Sequence, residues 1–253
     1  MTDLNSTEKV LKILKAFLPG DKPRGNLELS RMTGIHPASV NRILSILKLE
    51  GFVQQESIAK LYKLGPALAV FGHAIRRSSI DHLRNIADPH LRSLREKVQE
   101  SVGLSVLTEE GLLEPIQLRG PQPVSVAFGN GTRMAMNCNA GAKAVLAFLQ
   151  ADQLQNIINA NLKLPIFTSN TLTSWDQLIA QFEKIRQTGF AYDIEEFNRD
   201  VMAVAAPVLN AEHHPVCAVT IAVPSLRSTV ISDPDVLMSL DQAARAISLE
   251  INC

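Results

Sequence analysis

The segment NLELSRMTGIHPASVNRILSILKLEGF, residues 26–52, constrains the fold more than any other stretch of the chain. It lays out two short helices around a tight turn. Leu27, Leu29 and Met32 give the first helix an apolar side, and Gly34 permits the left-handed backbone that ends it. Pro37 suits the first position of the second helix, where its missing N–H is not needed and its fixed φ is already helical. From there Val40, Ile43, Leu44 and Leu47 recur at spacings of three and four, so they face a core. Ser39, Asn41, Arg42 and Ser45 are left for an exposed polar side, the requirement of a helix that enters a DNA groove.

The flanking sequence completes a small domain. Ser6 to Leu18 reads as a helix capped by its serine, with Val10, Leu11, Ile13, Leu14, Phe17 and Leu18 available to cover the other two. After Gly51, the runs FVQQE, SIA and KLYKL read as strand, turn and strand, which makes a wing. Helix-turn-helix pairs also occur in proteins that never touch DNA, so the charge distribution matters. Lys and Arg total 25 and Asp and Glu total 25, yet the first 77 residues hold 12 basic against 6 acidic side chains and the remainder holds 13 against 19. A basic N-terminal module and an acidic remainder fit a chain that brings only its small part to phosphate.

Cys138, Cys217 and Cys253 form no CxxC pair, so neither a disulfide framework nor a structural zinc site is suggested, and a reducing compartment fits. No apolar run has the length of a membrane span, and MTDLNSTEK lacks the pattern of a secretion signal. A cytoplasmic protein without cofactor or metal is expected.

Beyond Leu64, Gly65 and Pro66 the sequence ALAVFGHAIRR predicts a linker helix with Leu68, Phe71 and Ile75 on one side. Ser78 to Asp81 reads as a polar break, after which Leu83, Ile86, Ala87, Leu91, Leu94 and Val98 resume helical spacing. SVGLSVLT and EGLLEPIQLRG are strand candidates joined by a hairpin turn at Glu109, Glu110 and Gly111. Helices are predicted over 140–149, 154–160 and 174–188, strands over 190–193, 201–208 and 216–223, and a closing helix over 233–251.

Taken in order, TGIHPASVNRIL, KLYKLGPAL, Glu100-Ser101-Val102, NAGAKAVLA at 139–147, GFAYDIEE at 189–196 and AAPV at 205–208 resemble the IclR family of bacterial transcription regulators, over essentially the whole length. The resemblance implies an α+β protein with an N-terminal winged helix-turn-helix domain over 1–65 and a linker helix over 66–81. It further implies a GAF-like α/β domain over 82–253 for effector binding and oligomerisation, and a homodimer or dimer of dimers. A two-fold pair of recognition helices doubles the contacts made on a palindromic operator. The expected DNA-binding residues are Pro37, Ala38, Ser39, Asn41, Arg42 and Ser45, with Lys60 and Tyr62 on the wing. Arg42 leads them, because an arginine can bond guanine in bidentate fashion or clamp a phosphate.

The resemblance also places Gly141, Ala142, Asp193, Ala203, Thr220 and Ala222 around an effector, with Val126 and Met134 as further walls. The amides of Gly141 and Ala142 at a helix start would offer an anion seat. Lys143 matches the family lysine: a solvated position is the commoner outcome for a helix lysine, with pairing to Asp193 or another acid as the alternative. Ala203 and Ala222 replace the cysteine and serine of relatives that take small keto acids, and Ala142 replaces a common glycine. Fewer polar walls favour a larger or more apolar ligand, such as an aromatic or branched acid, over glyoxylate or pyruvate. Asp193, Glu195 and Glu196 also invite an enzymatic reading toward a small carboxylate, and His213 or His214 a zinc site. No GxSxG, HExxH, P-loop or GxGxxG accompanies them. A constitutive DNA-binding oligomer is the remaining alternative.

Overall fold

The computed structural model describes residues 4–18, 22–108, 111–127 and 131–252. The chain divides into two compact units, residues 1–78 and 79–253. The first unit opens with α1 (Ser6–Lys15), α2 (Asn26–Thr33) and α3 (Pro37–Leu49), followed by the two short wing strands β1 (Val53–Gln55) and β2 (Tyr62–Leu64). Its core joins Ile13 and Phe17, Leu29, the expected Val40, Ile43, Leu44 and Leu47, and Val53 and Tyr62 from the wing. Two details differ from the sequence reading. The cap of α1 is Asn5, whose side chain accepts the Glu8 amide while Glu8 bonds back to the Asn5 amide, so Ser6 is already inside the helix. Leu11 and Leu18 stand exposed, and so do Leu27 and Met32, leaving Leu29 as the apolar anchor of α2. Gly34 adopts the left-handed conformation at the end of α2, as the turn between the helices demands.

The expected break at Ser78–Asp81 is absent. A single helix, α4, runs from Pro66 to Val98, with Pro89 inside it. Serine and aspartate cost a helix interior only tenths of a kcal/mol, and burial of Leu83, Ala87, Leu91 and Leu94 on the far side of the polar stretch outweighs that.

The second unit is built on one antiparallel sheet. Strands β3 (Ser101–Thr108), β4 (Gly111–Leu118) and β5 (Thr132–Met134) lead to helices α5 (Ala140–Leu146), α6 (Ala151–Ala160) and α7 (Trp175–Thr188). Strands β6 (Ala191–Ile194), β7 (Val201–Leu209) and β8 (Pro215–Pro224), a 3-10 segment over Ser225–Ser232 and α8 (Pro234–Ile251) follow. The strand order is β5-β4-β3-β8-β7-β6. Glu109 and Glu110 of the expected hairpin turn lie outside the described residues, as does Cys253, while the flanking β3 and β4 pair antiparallel through Thr108 and Gly111. Asn210 to His214 form the turn between β7 and β8, and Ser174 caps α7.

Alternation along the strands divides the core into two layers. Val204, Ala206 and Val208 of β7 and Cys217, Val219, Ile221 and Val223 of β8 face the layer that holds Leu83, Leu91 and Leu94 of α4 with Leu240, Ala244 and Ile247 of α8. The opposite residues of those strands, Ala203, Ala205, Ala218 and Ala222, face α5 and α7 with Phe182, Leu178 and Ile185. The first face is bulky and β-branched, whereas the second is small, and that difference admits both a close helix and a cavity.

Candidate functional site

In the first unit, α3 presents the expected polar edge. Ala38, Asn41, Arg42 and Ser45 are exposed, and Pro37 and Ser39 are half-buried. His36 caps the helix by accepting the Ala38 amide at 3.3 Å, and Pro37 follows at the first turn. Arg42 makes no ion pair or hydrogen bond with the described residues, so its guanidinium is available to a partner, whereas Lys48 is tied to Gln55 at 3.1 Å. Lys60 sits at the wing turn with φ of 54° and is exposed. Tyr62 is a correction: it is 7% exposed and packs in the winged-helix core. Its backbone N–H and carbonyl pair with Arg24, both at 2.8 Å. Burial in that core leaves the Tyr62 ring little surface for a DNA contact.

In the second unit, the small residues of the sheet let α5 lie against the strands. A Cβ placed on Gly141 would fall 2.2 Å from Ser105 Oγ and 3.0 Å from Thr220 Oγ1, so only glycine fits that approach. Every residue of α5 is buried. Of the two amides expected to seat an anion, that of Ala142 is already accepted by Asn139 Oδ1 at 3.2 Å. Lys143 is a second correction. It is fully buried and donates to both carboxyl oxygens of Glu196, at 2.6 and 2.7 Å, so its partner is Glu196 and water has no access to it.

Beside α5 lies a narrow cleft, with about 20 Å³ open to the centre of a water molecule. Of the residues that the resemblance places around an effector, Met134, Asp193, Ala203, Thr220 and Ala222 line it, and Val126, Gly141 and Ala142 do not. Val126 packs instead in the core with α7, and Ala142 packs with Leu112 and Met134. The sequence reading missed Glu114, Gln117, Asn139, Phe197 and Asn198, which complete the polar and aromatic lining. One usable signal lay in the sequence: a glutamate inside the otherwise apolar strand candidate EGLLEPIQLRG.

Electrostatics set the cavity apart. Burial pushes the Glu114 carboxyl up to about 7, against a weak opposing bond from Ser105 Oγ at 3.4 Å. Burial likewise raises Asp193 to about 7, although its Oδ1 accepts the Glu196 amide at 2.7 Å. Glu196 is also raised, because burial outweighs the Lys143 ammonium. The Cys138 thiol is pushed up to about 12 by burial and by the neighbouring Asp193 and Glu196, which makes it an unreactive core thiol. Thr168 and Thr171 hold the turn that carries these acids, donating to the carbonyls of Glu195 and Glu196 at 2.6 Å each. Glu195 itself points elsewhere, accepting from Ser225 Oγ and from the Asp200 amide. The three acids thus do not converge as a catalytic set. His213 and His214 lie in the turn between β7 and β8, and no group of three His, Cys, Asp or Glu able to hold a metal occurs among the described residues.

Residues 77–249 match the family described as "Bacterial transcriptional regulator IclR C-terminal", and residues 6–57 match its helix-turn-helix domain. The chain belongs to the IclR family. It is 30% identical over 227 residues to the HTH-type transcriptional regulator TtgV of Pseudomonas putida, covering 89% of this chain and 83% of that protein. To the transcriptional repressor IclR of Escherichia coli it is 24% identical over 230 residues, covering 89% and 82%. Among solved structures, the IclR protein of Thermotoga maritima superposes with a TM-score of 0.64 at 23% identity, covering 99% and 100%. An IclR homologue of Microbacterium hydrocarbonoxydans, solved with 4-hydroxybenzoate, gives 0.59 at 18% identity, covering 98% and 99%. IclR-family membership makes this chain a DNA-binding transcriptional regulator, not an enzyme. No helix among the described residues is long and apolar enough to cross a membrane.

Proposed function

We propose that the chain reads a palindromic operator in the cytoplasm as a homodimer or dimer of dimers, through α3 with Arg42 as the principal contact. Asn41, Ser45 and Ala38 would lie against base edges or phosphate beside it, with Pro37, Ser39 and Lys60 at the margin. One observation carries this reading: the edge of α3 opposite its buried residues is solvent-facing, and its guanidinium is uncommitted within the described residues. A single helix reads only a few base pairs, so a two-fold assembly is the physical route to useful affinity.

The effector site in this reading is the cavity lined by Met134, Asp193, Ala203, Thr220 and Ala222. Its alanine walls supply apolar contact and no hydroxyl or thiol, which favours an aromatic or branched ligand body over a compact keto acid. An aromatic ligand is also what the Microbacterium homologue holds. Ligand binding would shift the balance between arrangements of the paired α3 helices and so alter operator affinity.

The test is selection of bound sequences from a random duplex pool by the full chain, followed by gel-shift titration at fixed salt with and without candidate ligands. Enrichment of an inverted repeat, with affinity changed by a ligand that also raises the melting temperature, supports the proposal. A single unrepeated half-site, or DNA affinity indifferent to every stabilising ligand, overturns it.

A further inference from the structure

The cavity beside α5 combines apolar walls with an unbalanced set of polar groups. Glu114 and Asp193 line it, and no lysine or arginine joins them among the described residues. Glu114 is 3% exposed. Its hydrogen bond from Ser105 reaches Oε1 at a long 3.4 Å, and its other carboxyl oxygen receives none from the described residues. Asp193, 4% exposed, has Oδ1 committed to the Glu196 amide and receives a further backbone hydrogen bond from Phe197.

The buried ammonium nearby is already spent, since Lys143 is held by both oxygens of Glu196. The titratable groups acting on Asp193 are Glu196 and Lys143, with the Cys138 thiol alongside. Facing Glu114 from β3 is the neutral hydroxyl of Ser105. Such a lining sets two acids beside the side-chain amides of Gln117, Asn139 and Asn198 and holds no countercharge among the described residues. A bare carboxylate placed there would be a further anion in a low-dielectric site.

We infer that this cavity selects a ligand that presents a hydrogen-bond donor, whether a hydroxyl, an ammonium or a protonated carboxyl group, to Glu114 and Asp193, and that Glu114 enforces the choice against a bare carboxylate. The inference rests on the cavity being the effector site and specifies its ligand class. An organic acid then binds only with uptake of a proton, either on itself or on one of the two wall acids.

The experiment uses the full chain and three probes built on one ring, benzyl alcohol, benzylamine and benzoate, in titration calorimetry at pH 8.5 and pH 6.5. At pH 8.5 the alcohol and the amine bind at least ten-fold more tightly than benzoate. With Asp193 and Glu114 titrating at about 7, benzoate gains roughly twenty-fold on going to pH 6.5 as one wall acid takes up its proton. Glu114→Gln, whose folding is checked by circular dichroism, raises benzoate affinity at pH 8.5 and reduces this pH dependence. The wild-type pH series stands on its own if the variant fails to fold. Benzoate binding most tightly at pH 8.5, with no pH dependence, overturns the inference and leaves the effector site standing. No binding of any probe at either pH refutes the cavity as an effector site, and this inference with it.

Discussion

Replacing Lys143 by methionine tests how the second unit is held together around its cavity. The ammonium is fully buried, Glu196 is 5% exposed, and the two N–O distances are 2.6 and 2.7 Å. Methionine fills a similar volume but leaves the carboxyl without its counterion. Removing one member of a buried pair costs about 3–5 kcal/mol. For a domain of this size each kcal/mol moves the melting temperature by about 2–4 °C, so a drop of roughly 6–20 °C is expected. The loss depends on pH. Burial already raises Glu196, with Lys143 as the main opposing influence; without the lysine the folded carboxyl holds its proton to still higher pH. The unfolded chain ionises near the ordinary glutamate value, so the penalty on the folded state grows as pH rises past it and shrinks in acid. Denaturation followed by circular dichroism at pH 5 and pH 8 measures this. Adding Glu196→Leu should recover much of the loss, because no buried charge is then unpaired. A Lys143→Met loss below 1 kcal/mol, equal at both pH values, would show that the pair is not the buried bridge described here.

Three further outcomes are expected. Gly141→Ala forces a methyl group into Ser105 Oγ at 2.2 Å, so it should destabilise by about 1–3 kcal/mol; a melting temperature equal to wild type contradicts the close approach of α5. Glu114 and Asp193 hold protons to about 7 in the folded chain against ordinary values of 4.5 and 3.8. The unfolded state therefore ionises first, and these groups lower stability progressively from about pH 4 to pH 7 and no further above it. Glu114→Gln should flatten that slope in urea titrations, and an unchanged slope argues against a buried, protonated Glu114. Tyr62→Phe, a change inside the core, should leave operator affinity unaltered in a gel shift, whereas a ten-fold loss would restore the Tyr62 hydroxyl as a contact.

Much of the fold was legible because its periodicities are clean. The spacing of Val40, Ile43, Leu44 and Leu47 placed the buried side of α3, and the apolar runs at 201–208 and 216–223 placed β7 and β8. What escaped depends on surfaces far apart in sequence. Lys143 looks like a helix-surface lysine until α5 proves to be covered on all sides, and its partner Glu196 lies on a turn 53 residues away. Glu114 carried no family mark, and its significance comes only from the strands and cavity around it. Tyr62 was misplaced by exposure alone, since a three-residue strand offers too little alternation to reveal which side faces the core. The continuity of α4 through Ser78–Asp81 was hidden because weak helix formers suggest a break that distant burial overrides.

The exposed edge of α3 is proposed as the surface that reads duplex DNA. Arg42→Ala, assayed by fluorescence anisotropy on a selected operator at stated salt, tests it most directly, with a circular dichroism melt to confirm the fold. A loss of roughly ten- to a hundred-fold in affinity, about 1–3 kcal/mol, with an unchanged melt is the predicted result. Wild-type affinity and an unaltered salt dependence for a correctly folded Arg42→Ala protein would contradict the claim.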